Sequence, residues 1–270
     1  MTAQAFPIDK KGIFKHGSQS FFLSSTIFAP TVFEDVCTLY NWCRLSDDQA
    51  DAQEHAPSSA WAKTATEFDA LRRRVELDAN VIAAFQEGLE WDKQNRTYDS
   101  VEELEMYCYR VAGTVGLLMC QILKITDPKA PRHAIATGVA MQMTNICRDV
   151  REDALRGRVY LPLDWLKSLR LSIQPSDLQV DPSQVFSVVR LLLFQADRYY
   201  EWGRKGLRFL PWRAAWAVAS ASRIYQAIGN KIIRLGPKAL NQRTVVGPWA
   251  KLRFLLWGLW DTFKSRKELL

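Results

Sequence analysis

The sequence predicts an all-α fold, on three observations. Apolar residues recur at helical spacing along most of the 270 residues, strand-like alternation is scarce, and the 13 glycines and 11 prolines gather at a few breaks. Those breaks fall at Pro30, His55–Ser59, Lys124–Arg132, Gly157–Pro162, Gln174–Ser183, Pro211 and Gly236–Pro248. They leave helices over residues 32–53, 60–89, 100–124, 131–155, 163–170, 183–207, 212–236 and 249–265. No break is a long low-complexity linker, and no repeat of roughly 20–50 residues runs through the chain. A single domain over residues 1–270 is therefore expected rather than a solenoid.

Composition narrows the function. With 48% hydrophobic and 24% charged residues the chain is neither disordered nor collagen-like. Its 36 Lys and Arg against 29 Asp and Glu give a formal charge of +7, which favours an anionic partner: a phosphorylated ligand, nucleic acid or lipid headgroups. The basic run Arg72–Arg74 reads as a solvated face, and no nucleic-acid signature accompanies it, so no nucleic-acid partner is expected. Five cysteines, at 37, 43, 108, 120 and 147, form no close CxxC pair, and only three histidines (16, 55, 133) are present. That argues against a zinc site and a disulfide framework and predicts reduced, buried thiols. The N-terminal MTAQAFPIDKKGIFKHG lacks a long apolar h-region, and the uncharged stretches Gly17–Phe33 and Ala134–Cys147 are too polar or too short to span a bilayer. The expectation is a cytoplasmic protein, soluble or peripheral on a membrane.

The helix over 32–53 carries a DDxxD cluster of Asp47, Asp48 and Asp51. At ~100° per residue, Tyr40, Arg44, Asp47, Asp48 and Asp51 share a stripe ~100° wide. Alone, such a stripe is equally a solvated acidic face, because exposed like charges at i,i+4 cost only ~0.2–0.5 kcal/mol. The helix over 131–155 differs. AIATGVAMQMTNIC (Ala134–Cys147) is uncharged and apolar nearly all round, yet it runs straight into Arg148-Asp149-Val-Arg-Glu-Asp153. Gln142, Asn145, Asp149 and Asp153 fit a stripe ~80° wide, which Ile135, Gly138 and Val139 continue toward the apolar end. Neighbouring helices could satisfy such a row. The functional reading is a cavity wall, polar at one end and apolar at the other.

Two facing carboxylate clusters suit metal-dependent diphosphate chemistry, because Mg²⁺ takes hard oxygen ligands shared between carboxylates and substrate phosphates. Arg44 and Arg158 would help neutralise a departing diphosphate. The allylic carbocation left behind needs shielding from water, which gives Phe21, Tyr40, Tyr109 and Tyr225 a reason to face the same cavity.

These motifs resemble the squalene and phytoene synthase family of head-to-head prenyl transferases. Gly17-Ser-Gln-Ser-Phe21 is similar to the family's N-terminal serine-phenylalanine segment, and Leu39–Asp51 to its first aspartate motif. Tyr107-Cys-Tyr-Arg-Val-Ala-Gly-Thr-Val-Gly116 resembles its central helix, Gln142–Pro162 its second aspartate motif and flap, and Ser222-Arg-Ile-Tyr225 its later tyrosine helix. The resemblance implies an all-helical isoprenoid-synthase fold around a central cavity and Mg²⁺, with Mn²⁺ as a substitute. It also implies that two identical prenyl diphosphates condense through a cyclopropyl diphosphate to a linear hydrocarbon. Carried over by position, Asp47, Asp48, Asp51, Asp149 and Asp153 hold diphosphate through metal. Arg44, Gln142, Asn145, Arg158 and Tyr160 position or neutralise phosphate. Ser18, Ser20, Phe21, Tyr40, Tyr109 and Tyr225 line the cavity, Tyr109 counted with the catalytic group.

The chain departs from the family's pattern at a few places. His16 is displaced from the first serine by Gly17 and takes no role, while Gln49, Ala50, Met143 and Cys147 alter local packing. The tail Asn241–Lys251 looks more like the bacterial phytoene synthases, which implies geranylgeranyl diphosphate as substrate and no NADPH. Farnesyl diphosphate, with squalene or dehydrosqualene as product, is the alternative. The aromatic and basic helix over 249–265 (WAKLRFLLWGLWDTF and flanks) either packs on the domain as a terminal helix or makes peripheral contact with a membrane.

Overall fold

The structure, a computed structural model, describes residues 19–50, 58–171, 175 and 182–267. Among them the secondary structure is helical, without a strand. The helices are α1 (Gln19–Ser25), α2 (Pro30–Ala50), α3 (Ser58–Val75), α4 (Ala79–Lys93) and α5 (Val101–Cys108). A π-helical turn, Tyr109–Gly113, joins α5 to α6 (Thr114–Ile122). Then follow α7 (Ala130–Leu155), α8 (Leu163–Ser168), α9 (Pro182–Arg204), α10 (Trp212–Leu235) and α11 (Pro248–Lys267), with 3₁₀ turns at Leu207–Phe209 and Gly236–Asn241. Proline opens α2, α9 and α11 and lies in the first turn of α7, where its missing N–H and fixed φ cost nothing.

Two features depart from the expected helices. The short α1 was not expected, its sequence QSFFLSS lacking a full period of pattern. The helix expected over 60–89 is two helices, broken where no glycine or proline stands. Glu76 takes the left-handed region (φ 57), and Asp78 caps α4 by accepting from the Asn80 N–H at 2.8 Å. The Asp78 N–H itself donates to Gln121 Oε1 on α6, so a tertiary contact fixes the break.

α7 is the central helix, packed against α9, α10, α6 and the π turn. Glycines allow that closeness. A Cβ on Gly138 would stand 2.3 Å from the Ala112 carbonyl oxygen, and one on Gly116 2.6 Å from the Ala134 carbonyl oxygen. One apolar core gathers around α7, α9 and α10, with Met143, Leu192 and Ile224 wholly buried. A second joins α2, α3, α4 and α6 around Leu39, Trp42, Phe68 and Phe85, where the Trp42 and Phe68 rings stack at 3.9 Å. Four of the five thiols are buried and all are free. No helix among the described residues is long and apolar enough to cross a membrane.

Candidate active site

Between these cores lies a cavity of about 1440 Å³. That exceeds the roughly 300–1,000 Å³ of a usual pocket for one small ligand. Phe22, Phe28, Leu39, Phe85, Val115, Met119 and Leu210 make much of its wall apolar, while charged residues from α2, α4, α7, the segment after α7, the segment before α11 and α11 itself make the rest polar.

On α2, Tyr40, Arg44 and Asp47 face the cavity, as the stripe predicts. The Arg44 guanidinium reaches both acids of the pair, Asp48 at 2.7 Å and Asp47 at 3.4 Å. Asp48 is held by that arginine beside the cavity rather than on its wall, which passes through Cys43 and Asp47 one turn apart. Asp51 and Ser18, and the side chain of Ser20, lie outside the described residues. Phe21 of α1 lines the cavity with its ring 5.8 Å from that of Tyr40. Burial and the neighbouring Tyr225 phenol push the Tyr40 hydroxyl above its usual range, so it stays protonated.

On α7, Gln142, Asn145, Asp149 and Asp153 all line the cavity. Asn145 donates to Gln142 Oε1 at 3.3 Å, and the Asn145 Oδ1 atom is buried without a hydrogen-bond partner among the described residues. Asp149 accepts from Arg148 Nε at 2.8 Å and pairs with Arg243 at 3.2 Å. Asp153 is pushed up to about 8 by burial and by the facing charges of Asp149 and Asp92, against the pull of Arg156 and Arg158. At the apolar end the wall is Ala134, Thr137, Gly138 and Met141. Ile135 and Val139 were expected there and instead pack into the core. The π turn crosses α7 next to Gly138, within 3.2 Å of Ile135 for a Cβ at Gly113, and covers that side of the helix.

After α7 the chain reverses at Gly157, whose φ of 78° is a left-handed conformation that suits glycine. The turn sends Arg156, Arg158 and Tyr160 back to the cavity. The following segment is pinned where the Leu163 N–H donates to the Tyr98 carbonyl at 2.9 Å. The Tyr160 hydroxyl donates to Asp92 Oδ1 at 2.7 Å, and the Tyr107 hydroxyl to Asp92 Oδ2 at 2.9 Å. Burial and the Asp92 charge hold both phenols above their usual range.

Of the tyrosines expected at the cavity, Tyr40, Tyr160 and Tyr225 are there and Tyr109 is not. Tyr109 packs partly buried against the core around α7. It lies two residues beyond Tyr107, about 200° around the helix, so only one of the two can face the cavity. Tyr107 is the one that does, and the π turn carries its stripe on through Val111, Val115 and Met119. Sequence reasoning missed Tyr107, Asp92, Arg148 and Arg243. Arg148 lies inside the second aspartate motif and carried a usable signal, whereas Asp92, in a helix of ordinary acidic residues, and Arg243, in a connecting segment, carried none.

The donor set suits a divalent cation. Asp149, Asp153 and the orphaned Asn145 Oδ1 are hard oxygen donors one turn apart on α7, and the crowding that raises Asp153 is what a cation relieves. Among the described residues no three His, Cys, Asp or Glu side chains group so as to hold an ion by themselves.

Comparison with known proteins gives the same family. A family model described as squalene/phytoene synthase matches residues 59–250. The chain is 34% identical to a 15-cis-phytoene synthase of Paracoccus sp. (strain N81106 / MBIC 01143), over 93% of this chain and 90% of the relative. It is also 34% identical to a 15-cis-phytoene synthase of Enterobacter agglomerans, over 89% and 90% of the two chains. Among solved structures, a dehydrosqualene synthase in complex with ligand superposes with a TM-score of 0.80 at 24% identity, covering 95% of each chain. The squalene synthase HpnC from Alicyclobacillus acidocaldarius gives 0.71 at 21% identity, over 84% of this chain and 92% of that one. These superpositions establish the isoprenoid-synthase fold. With a helical cavity that is carboxylate-rich at one end and apolar at the other, the chain belongs to the squalene/phytoene synthase family.

Proposed function

We propose that the chain condenses two molecules of geranylgeranyl diphosphate head to head, through a cyclopropyl diphosphate, to phytoene. One observation carries this reading: a single cavity of about 1440 Å³, charged at one end and apolar beyond, in a chain 34% identical to 15-cis-phytoene synthases. The charged end takes the diphosphates and the apolar wall takes the prenyl chains.

Asp149, Asp153 and Asn145 on α7, with Asp47 on the α2 wall of the cavity, are the residues that would hold Mg²⁺ or Mn²⁺. When bound, the cation withdraws charge from the diphosphate leaving group. Arg44, Arg148, Arg158 and Arg243 add fixed positive charge at the same end, and each is worth more as the chains exclude water. Gln142 aims the Asn145 amide. The Asp92 carboxylate fixes the Tyr107 and Tyr160 hydroxyls, so two phenol dipoles face the reacting end without searching for rotamers. Phe21, Tyr40 and Tyr225 present aromatic faces toward developing allylic cation. On this reading phytoene formation needs no hydride, so NADPH is not required.

The test is to incubate the purified protein with Mg²⁺ and geranylgeranyl diphosphate, or farnesyl diphosphate, with and without NADPH. Extracted hydrocarbon is then identified by mass. A forty-carbon product without NADPH is expected. A thirty-carbon product alone would move the activity to squalene or dehydrosqualene synthesis, and no hydrocarbon from either substrate would overturn the reading.

A further inference from the structure

The inner face of α11 is firmly seated. Gly258 comes so close to α10 that a Cβ would stand 2.6 Å from the Ser220 backbone nitrogen. Asp261 takes two bonds from Arg223, at 2.6 and 2.7 Å, and Trp216 donates its indole N–H to the Leu255 carbonyl at 2.8 Å. The two readings of this helix are thus not exclusive. Packed on one face, it turns the other outward. Trp249, Leu252, Leu256, Trp260 and Phe263 stand at helical spacing on that outer face, Trp249 84% and Trp260 70% exposed. A row of this size is unusual on a surface that meets only water.

Charge identifies the occupant. α11 carries Lys251, Arg253, Lys264, Arg266 and Lys267, and its one acid, Asp261, is buried and neutralised by Arg223. Arg253 stacks over the Trp257 ring at 5.0 Å. A second copy docked face to face would bring two such cationic helices together. An anionic lipid surface instead complements both the cations and the apolar row between them. The same helix is also part of the cavity. Lys251, Leu252 and Leu255 line it, as does Val245 just before the helix. Leu252 and Val245 are at the same time 52% and 61% exposed, so the apolar cavity wall and the apolar outer surface meet at these two residues.

We infer that the outer face of α11 docks on an anionic bilayer, and that the gap beside Val245 and Leu252 is the portal through which prenyl chains and hydrocarbon pass between cavity and lipid. The portal half rests on the proposed prenyl chemistry; the docking half does not.

The full chain is floated with vesicles of phosphatidylcholine containing phosphatidylglycerol and with vesicles of phosphatidylcholine alone. It is compared with a variant carrying Trp249→Ser, Leu256→Ser and Trp260→Ser, three exposed positions outside the cavity wall. Wild type should float with the anionic vesicles, less so at high salt, and the variant should lose about tenfold or more of that recovery while melting as wild type does. Turnover in detergent should match wild type, whereas turnover on anionic vesicles should fall behind it after the first cycles. Equal flotation of the two proteins would overturn the docking. So would wild type that floats on neither vesicle but forms a dimer the variant dissolves, which assigns the face to a second copy. Flotation as expected with equal vesicle turnover would overturn the portal. Flotation without any hydrocarbon product would leave the docking standing and remove the proposed activity.

Discussion

The hydroxyl of Tyr160 and that of Tyr107 end on opposite oxygens of one carboxylate, Asp92, at 2.7 and 2.9 Å. The two rings lie 5.2 Å apart at an interplanar angle of 26°, so a residue of the segment after α7 and a residue of α5 are both locked to α4 through one buried acid.

Asp92→Asn removes that symmetry, because an amide presents one oxygen and an NH₂ where two phenols donate. One phenol then loses its acceptor inside the protein, at a cost of about 1–3 kcal/mol. The melting temperature should fall by several degrees, and turnover should fall by at least about tenfold as the phenols lose their aim. Calorimetry and product formation check this. Unchanged turnover would reduce the cluster to packing.

Asp149→Asn keeps size and helix while removing a charge from the proposed cation site. Product formation should drop by orders of magnitude, with circular dichroism unchanged and the Mg²⁺ dependence moved to higher concentration. Wild-type turnover at ordinary Mg²⁺ would sink the ligand assignment.

Asp153 links stability to pH. Its carboxyl rises from 3.8 to about 8 in the folded chain, so the folded form holds the proton more tightly. The contribution is fully present below about pH 4 and is lost as pH rises through about 8. In EDTA, the wild-type protein should melt lower at pH 8.5 than at pH 6. Asp153→Asn should flatten that slope and raise stability at pH 8.5 by on the order of 1–3 kcal/mol while abolishing turnover. Parallel slopes for the two proteins would remove Asp153 as the source.

Gly138→Ala tests the helix contact at the apolar end of the wall. A methyl 2.3 Å from the Ala112 carbonyl forces α7 and the π turn apart, and destabilisation of about 1–3 kcal/mol follows. Thermal melting measures it. Gly247→Ala, where no atom lies within 4 Å of the added Cβ, should melt close to wild type.

Local patterns in the sequence reveal most of the helices, the whole α7 stripe, and Tyr40, Arg44 and Asp47 of the α2 stripe, while Asp48 stands off the wall. Gln142, Asn145, Asp149 and Asp153 share a wall because helical spacing alone sets their angle. The missed features depend on distant partners. The break at Glu76 needs Gln121 to hold Asp78, and no local glycine announces it. The choice of Tyr107 over Tyr109 is a rotation about one helix, which a motif with tyrosines two apart leaves open. Asp92 resembles any exposed acid until the fold brings Tyr107 and Tyr160 onto it. Arg243 stands in a connecting segment and gains its meaning only beside Asp149.

The contact between Arg243 and Asp149 has a temporal consequence. Beside it, Arg151 donates to the Asn241 carbonyl at 2.7 Å, a bond between residues 90 positions apart. During synthesis both acidic helices are complete long before this arginine-bearing segment leaves the ribosome. Local helices form early and such distant closures late, because the intervening chain must first give up its freedom. On refolding, helical signal should therefore return ahead of catalytic competence, and a nascent chain acquires its reactive centre only as the last helices settle.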